Sequence, residues 1–266
     1  MVSLIIHGSR GSSPASSAQM QKYGGHTSCF EILTGSYQIF LDAGTGFQSA
    51  IIREDREVII LFSHFHHDHI QGLLHNPHIF RNNQRITFAT GLTSGEYLKE
   101  NLKKYFSPPY FPPNIFTALS QLSFQDFTSL KCHVEPELVL DCMLMNHPGG
   151  AVGYSIKSCG VKITSLLDNE FDAKHETALA EFATSSDVVI WDGMFTNSEL
   201  KRHNGWGHSS IEQAVMFSNK EDIKKVLICH HAPNRTDDEL DSLQNRICNR
   251  KISFGADKMH LTWSAS

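Results

Sequence analysis

The sequence predicts an α/β protein of two β-sheets with helices on their outer faces. Three observations predict it. Strand-like apolar runs occur in both halves of the 266-residue chain, and in each half helical segments follow them. The run "EVIILFS" (Glu57 to Ser63) is continuous and β-branched, the pattern of a strand covered on both faces. No internal repeat and no linker interrupts the chain, so residues 1–266 are expected to form a single domain.

In chain order, "SLIIHGS" reads as a first strand and "GSRGSSPASSAQMQKYGGHTS" as a long, small and polar loop. "CFEILTGSYQIFLDAGTG" gives two strands joined by the turn "TGS" and a glycine-rich strand end at Asp42 to Gly46. "FQSAIIRED" suits a short helix. "RITFAT" is a strand and "SGEYLKENLKKYF" a helix, with Tyr97, Leu98, Leu102 and Tyr105 near one face. The proline-rich "SPPYFPPNIF" breaks regular structure. "ELVLDCMLMNH" and "AVGYSIKSCGVKITSLLD" supply three further strands, "HETALAEFATS" a helix and "DVVIWDG" a strand. "SIEQAVMFSNK" is a helix capped by Ser209 or Ser210, with Gln213 near the reciprocal capping position. "KKVLICHH" is a strand, and "TDDELDSLQNRICNRK" a helix with a threonine cap and an acidic first turn.

Composition narrows the function classes. Hydrophobic residues make up 40% and charged residues 19%, as in an ordinary soluble protein, and the formal net charge is −5. No lysine and arginine block advertises a large nucleic-acid surface. A small anionic substrate stays open, because bound ions supply positive charge that the count omits. "MVSLIIHGSRGSS" has neither a basic n-region nor a long apolar segment, so no leader and no membrane span are expected. Six cysteines without CxxC pairing are expected to be buried free thiols, which suits the cytoplasm. A homodimer is compatible with all of this.

The chemistry concentrates in "LFSHFHHDHIQG", where His64 to His69 hold four histidines and one aspartate. Histidines this crowded repel one another when protonated, and a metal site is the direct reason to gather them. Histidine and aspartate suit zinc first, with manganese and iron as alternatives. His64 and His66 lie two apart and point the same way from extended backbone. Asp68 and His69 lie just beyond and suit a second ion. Two ions need further ligands, and three residues at the ends of apolar runs offer them: His147, Asp168 and His231, with the neighbouring His230 as rival to His231. Asp168 suits a bridging carboxylate. His67, at the variable position, suits the cleft wall, and Asp42 suits orientation of the ligand loop.

"HFHHDH", a later histidine, an aspartate and a late histidine, with "DAGTG" upstream, resemble the metallo-β-lactamase fold superfamily over nearly the whole chain. The resemblance implies a four-layer αββα sandwich with two divalent ions along one edge of its sheets. It implies His64, His66 and His147 on one ion, Asp68, His69 and His231 on the other, and Asp168 bridging. A bridging hydroxide, its water's pKa lowered to ~7, would be the nucleophile.

"VVIWDGMF", ending a strand at Asp192, and "GWGHSS", placing His208 on a glycine-flanked loop, resemble the phosphodiesterase branch that includes ribonuclease Z and cyclic-nucleotide phosphodiesterases. By that resemblance His208 would stabilise or protonate the leaving oxygen and Asp192 would fix its ring; with Asp68 they make up the expected catalytic set. A positioned acid contributes roughly 10²–10⁴-fold when the leaving group is a poor one. The insert "SPPYFPPNIFTALS" carries no lysine or arginine, unlike a tRNA-binding arm, and its Tyr110 and Phe111 suit stacking on a base. The expected substrate is therefore a small cyclic nucleotide, cyclic dinucleotide or related phosphodiester. The alternatives are a ribonuclease Z-like RNA nuclease and a lactone or carboxylic ester hydrolase. A noncatalytic binding module is disfavoured by the intact ligand set.

Overall fold

Successive residues of the central strands are buried on opposite faces of their sheet, and that alternation sets the layers. The computed structural model describes residues 1–80, 84–112, 121–219 and 222–264. Its strands are β1 (Val2–Gly8), β2 (Cys29–Leu33), β3 (Tyr37–Leu41), β4 (Glu57–Leu61), β5 (Ile86–Ala89), β6 (Leu122–Phe124), β7 (Val139–Met145), β8 (Ala151–Ser158), β9 (Val161–Leu166), β10 (Val188–Asp192), β11 (Val226–Cys229), β12 (Ile252–Phe254) and β13 (His260–Trp263). Its helices are α1 (His67–Ile70), α2 (Gly95–Tyr105), α3 (Phe127–Val134), α4 (Glu176–Ala183), α5 (Asn197–Leu200), α6 (Ile211–Ser218) and α7 (Asp237–Asn245). One sheet runs β13-β1-β2-β3-β4-β5-β6 and the other β12-β11-β10-β9-β8-β7.

In β3 and β4, Ile39, Leu41, Ile59 and Leu61 enter a cluster shared with Leu140, Ile156, Ile163, Ile190 and Leu227 of the second sheet. Their neighbours Phe40, Val58 and Ile60 face the opposite way, onto Leu98 and Leu102 of α2. On the far side, Val189, Trp191 and Ile228 pack against Leu179 of α4, Ala214 and Phe217 of α6, and Leu240 of α7. The order helix, sheet, sheet, helix is the expected four-layer αββα sandwich. Each fully buried aliphatic or aromatic side chain contributes roughly 1.5–3 kcal/mol by leaving water.

Strand direction positions the site. β3, β4 and β5 run parallel in the first sheet, and β9, β10, β11 and β12 run parallel in the second. Ligand sites form beyond the carboxyl ends of parallel strands, where many chain turns converge. The helix starts agree with the sequence. Ser210 caps α6 in a box with Gln213, and Thr236 caps α7 in a box with Glu239.

Three expectations are corrected. "FQSAIIRED" forms only a 3₁₀ turn at Thr45–Ser49; past it the chain is extended at Ala50, burying Ala50 and Ile52 and exposing Ile51. The long N-terminal loop contains a 3₁₀ turn at Ala18–Met20. All six cysteines are free, but only Cys29 and Cys229 are buried, while Cys132, Cys159 and Cys248 are exposed. Those three lie on α3, in the turn after β8 and beyond α7, not in covered strands. Of the proline-rich insert, positions 113–120 lie outside the described residues. Among the described residues, no helix is long and apolar enough to cross a membrane.

Candidate metal centre

Asp42 follows β3 and is almost fully buried. Its carboxylate accepts from the Ser63 backbone N–H at 2.7 Å, from Ser63 Oγ at 2.8 Å and from His69 Nδ1 at 2.8 Å. With its proton given to Asp42, Ser63 Oγ accepts from His64 Nδ1 at 3.0 Å. On the second sheet, His147 Nδ1 donates to the Gly207 carbonyl at 2.8 Å. Each of these three histidines thus spends its Nδ1 proton on a protein acceptor and keeps an Nε2 lone pair for the centre, the arrangement that orients metal-ligating imidazoles.

The lone pairs converge. His66 Nδ1 faces His147 Nε2 at 3.1 Å. His69 Nε2 lies 3.3 Å from Asp68 Oδ2 and 3.2 Å from Asp168 Oδ2. Asp168 Oδ1 is 3.9 Å from His64 Nε2 and 3.8 Å from His147 Nε2, so its carboxylate sits between the two halves of the cluster. Sets of donor atoms lying within 4.8 Å of one another include His64, His66 and His147 as one group and Asp68, His69 and His230 as another. Electrostatics follow from the crowding. Burial, with neighbouring histidines, holds His64 well below its ordinary range, and burial lowers His66 and His147. Burial opposes the charges on Asp68 and Asp168, but the surrounding histidines override it and keep both ionised.

The late histidine is a correction. His231 does not enter the cluster; its neighbour does. His230 Nε2 sits 3.3 Å from Asp68 Oδ2 and 3.5 Å from Asp168 Oδ1. His231 Nε2 instead donates to the Gly255 carbonyl at 2.8 Å, and its ring lies against Tyr23 and Phe254. The cause is backbone. His230 has φ +56°, a left-handed conformation that ends the alternation of β11 and swings its ring toward the centre. Ser12, Asp42 and Asp168 share that conformation at φ +60°, +61° and +51°. Strain of roughly 1–3 kcal/mol per such residue gathers where side chains must be aimed off a sheet.

The residues present fit divalent ions. His64 Nε2, His69 Nε2 and Asp168 Oδ2 are buried without any hydrogen-bond partner among the described residues. An orphaned polar atom costs about 1–3 kcal/mol, so three converging on one spot call for a cation. His208 and Asp192 stand beside them. His208 Nδ1 donates to Asp192 Oδ2 at 2.8 Å and lies 4.0 Å from Asp168 Oδ1. Burial opposes a charge on His208, but Asp192 overrides it and pushes the ring up to about 9.

His67, Tyr110 and Phe111 share a cavity of ≈ 870 Å³ with Lys104 and Tyr105. His67 hydrogen-bonds the Tyr105 hydroxyl. Tyr110 is 80% exposed, whereas Phe111 packs on Phe106.

Three contributors lay beyond sequence reasoning. The Ser12 backbone N–H donates to Asp68 Oδ2 at 2.7 Å. Gly11 abuts His230, where a Cβ would come within 2.5 Å of the ring. Glu170 accepts from the N–H groups of Gly205 and Gly207 at 2.7 and 3.0 Å, holding the loop that carries His208 and the acceptor for His147. The glycines were visible in the sequence, but not what approaches them.

Residues 37–231 match the family model described as the beta-lactamase superfamily domain. The chain is 32% identical over 66 residues to ribonuclease Z of Thermoplasma volcanium, a match spanning 25% of this chain and 22% of that protein. It superimposes on the metallo-beta-lactamase fold protein YhfI of Bacillus subtilis with a TM-score of 0.72 at 13% identity, covering 98% of this chain and 100% of that one. It superimposes on a diphosphatase from the PhnP family with a TM-score of 0.68 at 17% identity, covering 99% and 98%. At those identities the two superpositions show the shared fold.

Proposed function

The chain belongs to the beta-lactamase superfamily domain family, and from that premise we propose that it is a metal-dependent hydrolase, a dinuclear phosphodiesterase acting on a small phosphodiester or nucleotide. The observation that carries the reading is the His208–Asp192 pair at 2.8 Å, set beside Asp168 at the edge of the ligand cluster. Ester and lactone hydrolysis passes through a tetrahedral adduct and depends less on such a donor, whereas expelling a basic alkoxide from phosphorus in one displacement depends on it strongly.

His64, His66 and His147 would hold one ion, Asp68, His69 and His230 the other, with Asp168 between them. Bound there, two divalent ions, zinc first, supply Lewis-acid polarisation and make water acidic enough to attack near neutral pH. The chain's own groups do the rest. Asp42 and the Gly207 carbonyl fix the imidazoles. Asp192 holds His208 by Nδ1, which leaves Nε2 as the atom that passes a proton to the leaving oxygen. Free cysteines suit work in the cytoplasm. The short similarity to ribonuclease Z supports an RNA nuclease as second reading. Site-specific cleavage of a tRNA 3′ trailer with negligible turnover of small diesters would decide for it.

The test is leaving-group dependence. His208→Ala slows a diester with an alkyl or ribose leaving group by ~10²–10⁴-fold and a p-nitrophenyl diester much less, with metal content retained. Equal losses for both substrates would remove His208 from the acid role.

A further inference from the structure

Beyond His208 the chain builds a second cleft of ≈ 320 Å³, whose lining shares no residue with the His67 cavity. Phe195 and His203 stack there at 4.4 Å with 12° between their planes, and Trp206 meets His203 edge-on at 4.7 Å. Phe195 lies 6.0 Å from the His208 ring. Trp206 is 60% exposed, although a large aromatic on a soluble protein usually finds cover. Positive-φ glycines flank it at 205 and 207, and Glu170 holds both their N–H groups, so the indole is presented by a fixed loop. At the other wall stand Asn234 and Arg235. Arg235 is tied to Glu199 at 2.6 Å, and its Nε has no hydrogen-bond partner among the described residues.

Direction connects this cleft to the reaction. His208 is held by Nδ1, so a proton leaves from Nε2, and the oxygen that receives it lies on the His208 side of the phosphorus. In an in-line displacement the departing alcohol lies away from the attacking water, which the ligand cluster holds. The space lined by His208 on that side is the Trp206 cleft. We propose that this cleft is the leaving-group subsite, and that it takes a planar heteroaromatic ring carried by the departing alcohol, stacked on Trp206 with its polar edge toward Arg235 and Asn234. The inference rests on the phosphodiesterase reading above. The step is a hydrolysis: water gives its hydroxyl to phosphorus and its other proton to solvent, the P–O bond to the ring-bearing alcohol breaks, that oxygen takes the proton from His208, and His208 is reprotonated from solvent.

The methyl ester of adenosine 5′-monophosphate tests it, because either P–O bond can break. The holoenzyme is expected to release adenosine and methyl phosphate over AMP and methanol by more than ~10-fold, since stacking on one base is worth about that factor or more. Trp206→Ala collapses the ratio toward parity, and Trp206→Phe restores part of it. AMP and methanol as major products, or a ratio unmoved in Trp206→Ala, would overturn the subsite. A second measurement separates this from failure of the phosphodiesterase reading: adenosine added to chelator-treated protein is expected to quench tryptophan fluorescence, and Trp206→Ala to abolish the quench. If no diester is cleaved but the quench is present, the cleft stands as a ring-binding site and the hydrolytic reading falls. If no diester is cleaved and no quench appears, the subsite falls too.

Discussion

Two adjacent histidines show how far single residues can be read. Both follow the apolar run of β11, and spacing alone does not separate them, because the deciding variable is a backbone angle, φ +56° at His230. The structure gives them opposite chemistry. His230 faces two ionised aspartates, while burial pushes His231 down to about 3 among Tyr23, Phe254 and the Gly255 carbonyl. His230→Ala is therefore expected to lose about one ion per chain by elemental analysis, and His231→Gln to retain both; the reverse pattern would restore His231 as ligand. His208 makes the residue-scale prediction in pH. Its folded pKa is raised to about 9 by Asp192 against burial, so the proton is present below that value and lost as pH rises through it. Turnover of an alkyl diester is expected to fall on the alkaline side near pH 9. Asp192→Asn removes the main raising influence and moves that limb toward the ordinary histidine value of about 6.5. A limb unmoved in the variant would assign it to another group.

At the scale of elements, helix caps and covered strands were legible because their causes are local. Ser210 and Gln213 lie three apart, and β-branched runs mark β4 and β10 without reference to anything distant. α3, β6, β12 and β13 were not read, being short segments whose order comes from tertiary packing. The glycine loop before α6 was legible only as a loop; its rigidity comes from Glu170, beyond β9. That carboxylate serves both sheet-end histidines at once, since Gly207 passes its hold to His147 and the next residue is His208. Glu170→Ala is expected to weaken metal binding and turnover together by ~10–100-fold, the usual effect of losing a group that orients ligands. Glu170→Gln, which keeps an acceptor oxygen, recovers most of both. An alanine variant with wild-type metal affinity and kcat would show that the loop holds its shape without the clamp.

On the scale of the whole molecule, the cluster joins the two sheets. His64, His66, Asp68 and His69 come from the chain after β4, whereas His147, Asp168 and His230 come from the ends of β7, β9 and β11. Two sheets with helices outside were readable from apolar runs followed by helical segments in both halves, while the four-layer order and the gathering of these donors came from the family resemblance that the ordered ligand set carries. The approach of Ser12 and Gly11 was not, since it depends on a loop that crosses from β1 to the far sheet, where Gly11 N–H donates to the His231 carbonyl at 3.0 Å. The central claim, a two-ion centre that hydrolyses phosphodiesters, is tested most directly by titrating chelator-stripped protein with zinc or manganese while following bound ion and turnover of bis(p-nitrophenyl) phosphate together. The stripped protein is expected to show no turnover, with a rise that completes as bound metal reaches two ions per chain. Full turnover by folded, metal-free protein in excess chelator would contradict it.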